Sequence, residues 1–394
     1  SDLIVLVGNS TRTVEMGYGN DRVILPEGVN TLTVSGVETL IGNASNDTIT
    51  LTARGNSIIN LGDGTDVLQL ASGVNIVMVG NAADITSAPA ALNGASFLSV
   101  ANVEQIIGGS GRDSVTLAGS DTLLTLRAVE TINGGTGNDT VVLGANLISG
   151  YMDLLAGNDT LMMGNGSNTI TIANIETVIG SSAADTVILN AAQAGGLMNL
   201  GAGSDTLLVS GNGDATLTVS NVESITGNSG GETLVMGAAL AAAVINLAGG
   251  NDRLQLASGA NTITARSIET IVGDEGADSI VLGTSQSDGV IDLGGGNDRL
   301  QLANGTNVYT VSNVETLLGG SGADTVTLLG NMAGSTINLG GGSDILVLST
   351  ASSVLTVSNV ETVAGNSGDD AITLATAITS GAMDLAGGND TLQL

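Results

Sequence analysis

The sequence predicts an all-β fold, a parallel β-solenoid of the β-roll or β-helix kind with about 17 stacked 23-residue coils. Three observations predict it. A phrase recurs at a fixed interval along the chain, short alternating segments fill the space between Gly-rich turns, and the core residues are aliphatic with almost no aromatic rings. With 59 Gly, one Phe and no Trp, the interior must be a thin bore lined by Val, Ile, Leu and Ala.

The interval comes from the glutamate of phrases such as Val311–Leu328. It recurs as Glu130, Glu176, Glu223, Glu269, Glu315 and Glu361, at steps of 46 or 47 residues. A second phrase falls midway, marked by Asp153, Asn199, Asn246, Asp292, Asn338 and Asp384. The two series together predict one coil of 23 residues in two alternating flavours, and Glu15, Glu38 and Asn60 extend it to the start. The strands are segments such as "DTVTL" and "LTVSN", whose alternation signals one buried face. Gly, Asn and Asp clusters supply the turns between them. Only the Ala-rich stretch 238–243 leaves room for a helix. From Val74 to Phe97 the turn motif is missing, so coils around 74–128 are expected to be rearranged by an insertion. The whole of 1–394 otherwise reads as one continuous solenoid, on the order of 80 Å long at ~4.8 Å per coil. It reads as an excerpt of a longer, processed or polymerising protein.

The turns carry the chemistry. Their aspartates are Asp21, Asp47, Asp66, Asp113, Asp139, Asp159, Asp185, Asp205, Asp252, Asp278, Asp298, Asp324, Asp344, Asp370 and Asp390. Short turns place Gly two residues before the acid. Long turns place it five residues before, as at Gly108, Gly134 and Gly319, with Gly322 further inside the last of these. Glycine reaches left-handed backbone angles at little cost, which turns carbonyls toward one point. Calcium takes six to eight oxygen ligands at about 2.3–2.6 Å, and an Asp-ended Gly turn offers carboxylate and carbonyl oxygens together. The competing reading is a plain β-turn whose Asp hydrogen-bonds backbone amides. The alternating Glu and Asn/Asp series (Glu176, Asn199, Glu223, Asn246) is read as a hydrogen-bonded ladder at a coil corner or as part of a calcium shell, the ladder being favoured. The Asn of "SNVE" (Asn102, Asn174, Asn221, Asn313, Asn359) is expected to be a left-handed corner residue.

The long turns "GGSGADTVT", "GGTGNDTVV" and "GGSGRDSVT" match the nonapeptide G-G-x-G-x-D-x-U-x. The chain therefore resembles the RTX, or haemolysin-type calcium-binding, repeat family. The resemblance implies multiple Ca2+ ions, export as an unfolded chain, and folding driven by external calcium. The family carries two motifs per coil on opposite edges. With one motif per 23-residue coil, any ions here are expected in one row.

Charge agrees with a cation partner. The formal net charge is −30, with 38 acids against eight basic residues, all Arg. Stacked carboxylates at coil spacing repel by roughly 3–4 kcal/mol per pair at an effective dielectric of 20. Such a body repels nucleic acid. A chain that is 42% hydrophobic is not disordered. No apolar run is long enough for a membrane span. With no His, Lys or Cys, the usual catalytic bases and nucleophiles are missing, and no enzyme is expected. These features predict an extracellular, cell-surface structural or adhesive protein: a calcium-stiffened surface layer, filament or adhesin stalk that self-associates end to end or side by side. The alternative is an ice-binding face, or a glycan-binding face toward cell-surface polysaccharide. A Thr rank (Thr140, Thr160, Thr186, Thr206, Thr325) favours it, but Arg253, Arg299 and Ile345 interrupt that rank.

Overall fold

In the computed structural model every residue is described except Ser10, Arg54, Val74, 80–95, Asn102, Ala118 and Thr379. The described residues form β-strands of 3 to 8 residues and no helix. The all-β parallel solenoid expected from the sequence is the fold observed. The Ala-rich stretch contributes the strand Ala241–Asn246 rather than a helix. No helix long and apolar enough to cross a membrane occurs among the described residues.

The chain divides into two compact units, Ser1–Ala191 with Leu197–Asp205, and Ala192–Gly196 with Thr206–Leu394. In each unit consecutive strands alternate between two parallel sheets, apart from Asn75–Val79 and Ser96–Ala101, which lie in one sheet. In the first unit Thr169–Ala173 pairs with Thr186–Leu189 in one sheet, while Thr160–Met162 pairs with Thr177–Ser181 in the other. In the second unit Arg299–Gln301 pairs with Thr316–Leu318, and Thr325–Leu328 pairs with Ile345–Val347. One coil is therefore two strands and two turns. We call the turn from the first sheet to the second the outbound edge, and the turn back the return edge.

Alternation along each strand explains the core. In Thr325–Leu328, Val326 and Leu328 point inward and are fully buried, while Thr325 and Thr327 face outward. Stacking repeats this inward rank from coil to coil, as with Leu161 against Val178 and Val178 against Met198. Burying such a side chain contributes roughly 1.5–3 kcal/mol, and each is covered only by its own and adjacent coils. Among the described residues the bore admits one large ring, Tyr309, opposite Gly289, where even a Cβ would collide with the tyrosine ring.

The coil length differs from the expected 23. Partners in adjacent coils are mostly separated by 17 residues or by 19 to 21, as in Asn307 to Asp324 and Asp324 to Asp344. The 46-residue sequence repeat spans five strands, for instance from Arg299–Gln301 to Ile345–Val347. Five strands are two and a half coils. The repeat reports where the same chemistry recurs, and it recurs on opposite edges.

Much of the expected irregularity around 74–128 falls on 80–95, outside the described residues. Beside it, the strand Ser96–Ala101 lies between Ser57–Gly62 and Asn75–Val79, although it follows both in sequence. The next strand, Gln105–Ile107, joins Val67–Gln69 in the other sheet, and two-strand coils resume.

Candidate metal centre

The long turn is built by close approach of coils. At Gly319 an added Cβ would collide with the Leu339 carbonyl oxygen of the next coil. At Gly108 it would meet the Ala128 carbonyl, at Gly134 the Leu154 carbonyl, and at Gly322 the backbone of Gly305. None of these four glycines adopts a left-handed φ. The expected reason for them is therefore corrected: space, not backbone angle, demands glycine. The short turns do carry positive φ, 139° at Gly64 and 150° at Gly342.

In five long turns, those of Asp47, Asp113, Asp139, Asp185 and Asp324, both carboxylate oxygens find donors. Asp113 Oδ1 accepts from Asn75 N at 2.8 Å and Asn75 Nδ2 at 2.9 Å, in the preceding rung of the edge. Its Oδ2 accepts from Gly109 N in its own turn at 2.8 Å. Asp324 has the same partners in Asn307 and Gly320, and Asp185 in Asn168 and Ser181. Asp47 takes Asn30 and the Asn43 amide, and Asp278 takes Asn261. Asp139 takes Thr122 N and Gly135 N.

In the short turn one oxygen stays without a donor. Asp344 Oδ1 accepts from Asp324 N at 2.8 Å, and Asp344 N donates to Glu361 Oε2 at 2.8 Å. Asp344 Oδ2 is buried with no hydrogen-bond partner, as are the Oδ2 atoms of Asp21, Asp66, Asp159, Asp252 and Asp298. Asp370 Oδ2 and Glu232 Oε1, in two long turns, share this state. For Asp66, Asp159, Asp252, Asp298, Asp344, Asp370 and Glu232, burial, which disfavours the charged form, is the largest cause of a raised pKa. Asp66 is pushed up to about 7, with Glu104 and Asp47 adding like-charge repulsion against the lowering effect of the Asp47 N–H. Glu232 reaches about 7, and Asp159, Asp252 and Asp298 about 6, all led by burial. Asp344, Asp139 and Asp370 are raised for the same first cause.

These bonds form ladders of four rungs: Asn, long-turn Asp, short-turn Asp, Glu. Asn30, Asp47, Asp66 and Glu104 form one on the outbound edge of the first unit. Thr122, Asp139, Asp159 and Glu176 form the next, with Thr in place of Asn. Asn168, Asp185 and Asp205 lie on the return edge. In the second unit Asn307, Asp324, Asp344 and Glu361 occupy the outbound edge, and Asn261, Asp278, Asp298 and Glu315 the return edge. Asp252 receives Glu232 N and donates to Glu269, and Asp390 receives Asp370 N. The acids thus stand in two rows per unit. The expectation of one row is corrected, for the half-integral repeat moves each successive motif to the other edge.

The Glu series is largely a hydrogen-bonded ladder: Oε2 of Glu38, Glu104, Glu176, Glu269, Glu315 and Glu361 accepts a short-turn Asp N–H, and Oε2 of Glu130 accepts the N–H of the long-turn Asp113. The expected stacking of Glu with Asn or Asp does not occur. Asn199, Asn246 and Asp292 lie on strands, and each Oδ1 accepts the N–H two residues onward. Asn174, Asn221, Asn313 and Asn359 are left-handed, with φ of 51–55°, as expected. Asn102 lies outside the described residues. The sequence reading missed the ladder heads Asn30, Asn75, Asn168, Asn261 and Asn307. Their signal was present: each follows a Gly by two residues, and each Nδ2 donates to that Gly's carbonyl.

Among the described residues no three acids, histidines or cysteines come together as a metal cluster. An ion at these turns would draw on one or two carboxylates and on backbone carbonyls. The donorless carboxylate oxygens are hard anionic ligands of the kind calcium takes, so the donor chemistry fits while the coordination number must come largely from the backbone. No protein-family model matches the chain, and no curated protein matches it either.

Proposed function

We propose that the chain is a calcium-binding structural repeat protein of the RTX kind, exported and rigidified outside the cell as part of a surface layer, filament or adhesin stalk. One observation carries the reading: buried carboxylate oxygens with no donor recur along both edges. At neutral pH each such oxygen needs a proton or a cation. A divalent ion supplies positive charge to several oxygens at once and binds only the folded chain, which stabilises the fold by mass action. The chain's own part is to present them. Asn heads and Glu feet orient the aspartates, the glycines bring adjacent coils within reach, and the sheets hold the turns in register. At the low calcium of a cytosol, the net charge of −30 favours an open chain ready for export.

The test is far-UV circular dichroism and thermal melting in excess calcium and in EGTA. Loss of strand signal or a large fall in melting temperature with EGTA, reversed by calcium and not by magnesium, is the expected result. A second reading has its own support: Oδ1 of every short-turn Asp named above already latches a neighbouring backbone N–H. In that case the acids are latches alone, and the melting curve is the same with and without chelator.

A further inference from the structure

The first unit carries an apolar rank on the outward side of one sheet. Val142, Met162 and Ile179 are direct neighbours in the register of three successive strands. Leu123 and Leu197 flank them diagonally, one coil further on at each end. Leu123 is 68% exposed, and Met162, Ile179 and Leu197 are 39–43% exposed. We propose that this face is the contact between two copies of the chain, packed sheet to sheet about a two-fold axis through Met162. Such a contact supplies a lateral interface for the assembly proposed above, on which it rests, and involves none of the ladder acids.

Charge restricts where copies of a chain of net charge −30 can meet. Like-charged bodies repel, so a second copy can approach closely only over a face without acids. The ladder acids stand in the turns, along the edges. On the outward side of these five strands the neighbours of the apolar rank are Thr125, Thr140, Thr160, Thr177 and Asn199, and Arg127 is the single charged residue. The other sheet of the first unit places Asp153 outward. In the second unit both sheets carry outward charges, Arg253, Asp274 and Asp292 on one and Arg266 and Arg299 on the other.

The rank also reads the same from either end. A two-fold axis along the strand Thr160–Met162 sets each strand against the one equally far away on the other side of it. Leu123 then faces Leu197 of the second copy, Val142 faces Ile179, and Met162 faces Met162. Thr140 likewise faces Thr177. Such self-complementarity is what an isologous contact requires, and sheets pack face to face at about 10 Å over interdigitating side chains. Five coils at ~4.8 Å make a rank about 20 Å long. Alone that is a contact of the weak class, and copies side by side add such contacts through multivalency.

The test is cross-linking of single-cysteine variants of the full chain, which has no cysteine of its own, by a short bismaleimide at fixed calcium. Met162→Cys lies on the axis and should give covalent dimers. Thr171→Cys, outward on the other sheet, should give roughly tenfold fewer. In a mixture, Val142→Cys and Ile179→Cys chains should link to each other in preference to their own kind, which reads the register. Met162→Asp puts a charge into the contact and should weaken association in sedimentation by roughly tenfold or more, with unchanged circular dichroism. Equal cross-linking at positions 162 and 171, or none at 162, overturns the proposal, as does a Met162→Asp chain that associates like the parent. Calcium is constant in every arm, so a missing dimer is distinguishable from a chain whose melting ignores EGTA.

Discussion

Five of the long turns, among them those of Asp113 and Asp324, and the short turns hold the same buried aspartate in opposite states of satisfaction. In the long turn the chain wraps back on its own acid, so Gly109 or Gly320 N–H reaches Oδ2 while the preceding Asn covers Oδ1. The short turn has no such return. Its acid spends one oxygen on the neighbouring coil and keeps the other buried without a donor. Three residues of extra turn thus separate an acid that stabilises the fold by itself from one that waits for a proton or an ion. Alternating the two along each ladder sets a closed rung beside an open one.

The comparison can be broken hardest at the closed rung. Asp324→Ala removes the acceptor of the buried Asn307 N and of the half-buried Gly320 N, and one of the three acceptors of Asn307 Nδ2. The expected loss is about 4 kcal/mol in chemical denaturation, with or without calcium. Next comes the spacing on which the long turn depends. Gly319→Ala forces the Leu339 carbonyl away and should cost about 3 kcal/mol by the same measurement. A tolerated alanine there would show that the coils can move apart freely.

The open rung should respond in the reverse sense. Asp344→Asn keeps an oxygen for Asp324 N–H and removes a buried charge. In EGTA its stability should stay within about 1 kcal/mol of the parent or rise. In calcium it should lose part of the gain the parent shows, and an equal gain in both proteins would exclude Asp344 as a ligand. The smallest effect per residue is that of pH. Asp66 rises from 3.8 to about 7, and Asp159, Asp252 and Asp298 to about 6, so the folded chain holds more protons than the unfolded chain across that window. Their contribution is complete below the unfolded value and is lost as pH climbs through the folded values. Melting in EGTA should therefore occur at falling temperature as pH rises from about 4 to about 7, and calcium should flatten the slope. A melting temperature that climbs over that window would contradict the open-rung account.

Much of this was legible in the residues. Strand alternation such as "DTVTL" marks the inward face of Val326 and Leu328, and the Gly–Asp clusters mark the turns. The left-handed corner at Asn313 was legible too, because Asn tolerates that conformation. The glutamate series announced its ladder through its regular spacing. The coil length was not legible. A reader of Glu269, Glu315 and Glu361 sees equal intervals and cannot tell whether equal residues fall on one edge or on two. Nor was the role of Gly319, since a glycine kept for closeness and one kept for its backbone angle are the same letter.

The sequence by itself determined that the chain is all β, that its strands stack in parallel, and where each turn and each buried acid falls, because these follow from local alternation and turn chemistry. Only the tertiary structure decided that a coil mostly closes after 17 to 21 residues rather than 23, that the acids divide between two edges, and which carboxylate oxygen is left without a donor. Those depend on which coil lies against which, and hydrogen bonds between residues 17 to 21 positions apart are set by stacking rather than by any local propensity.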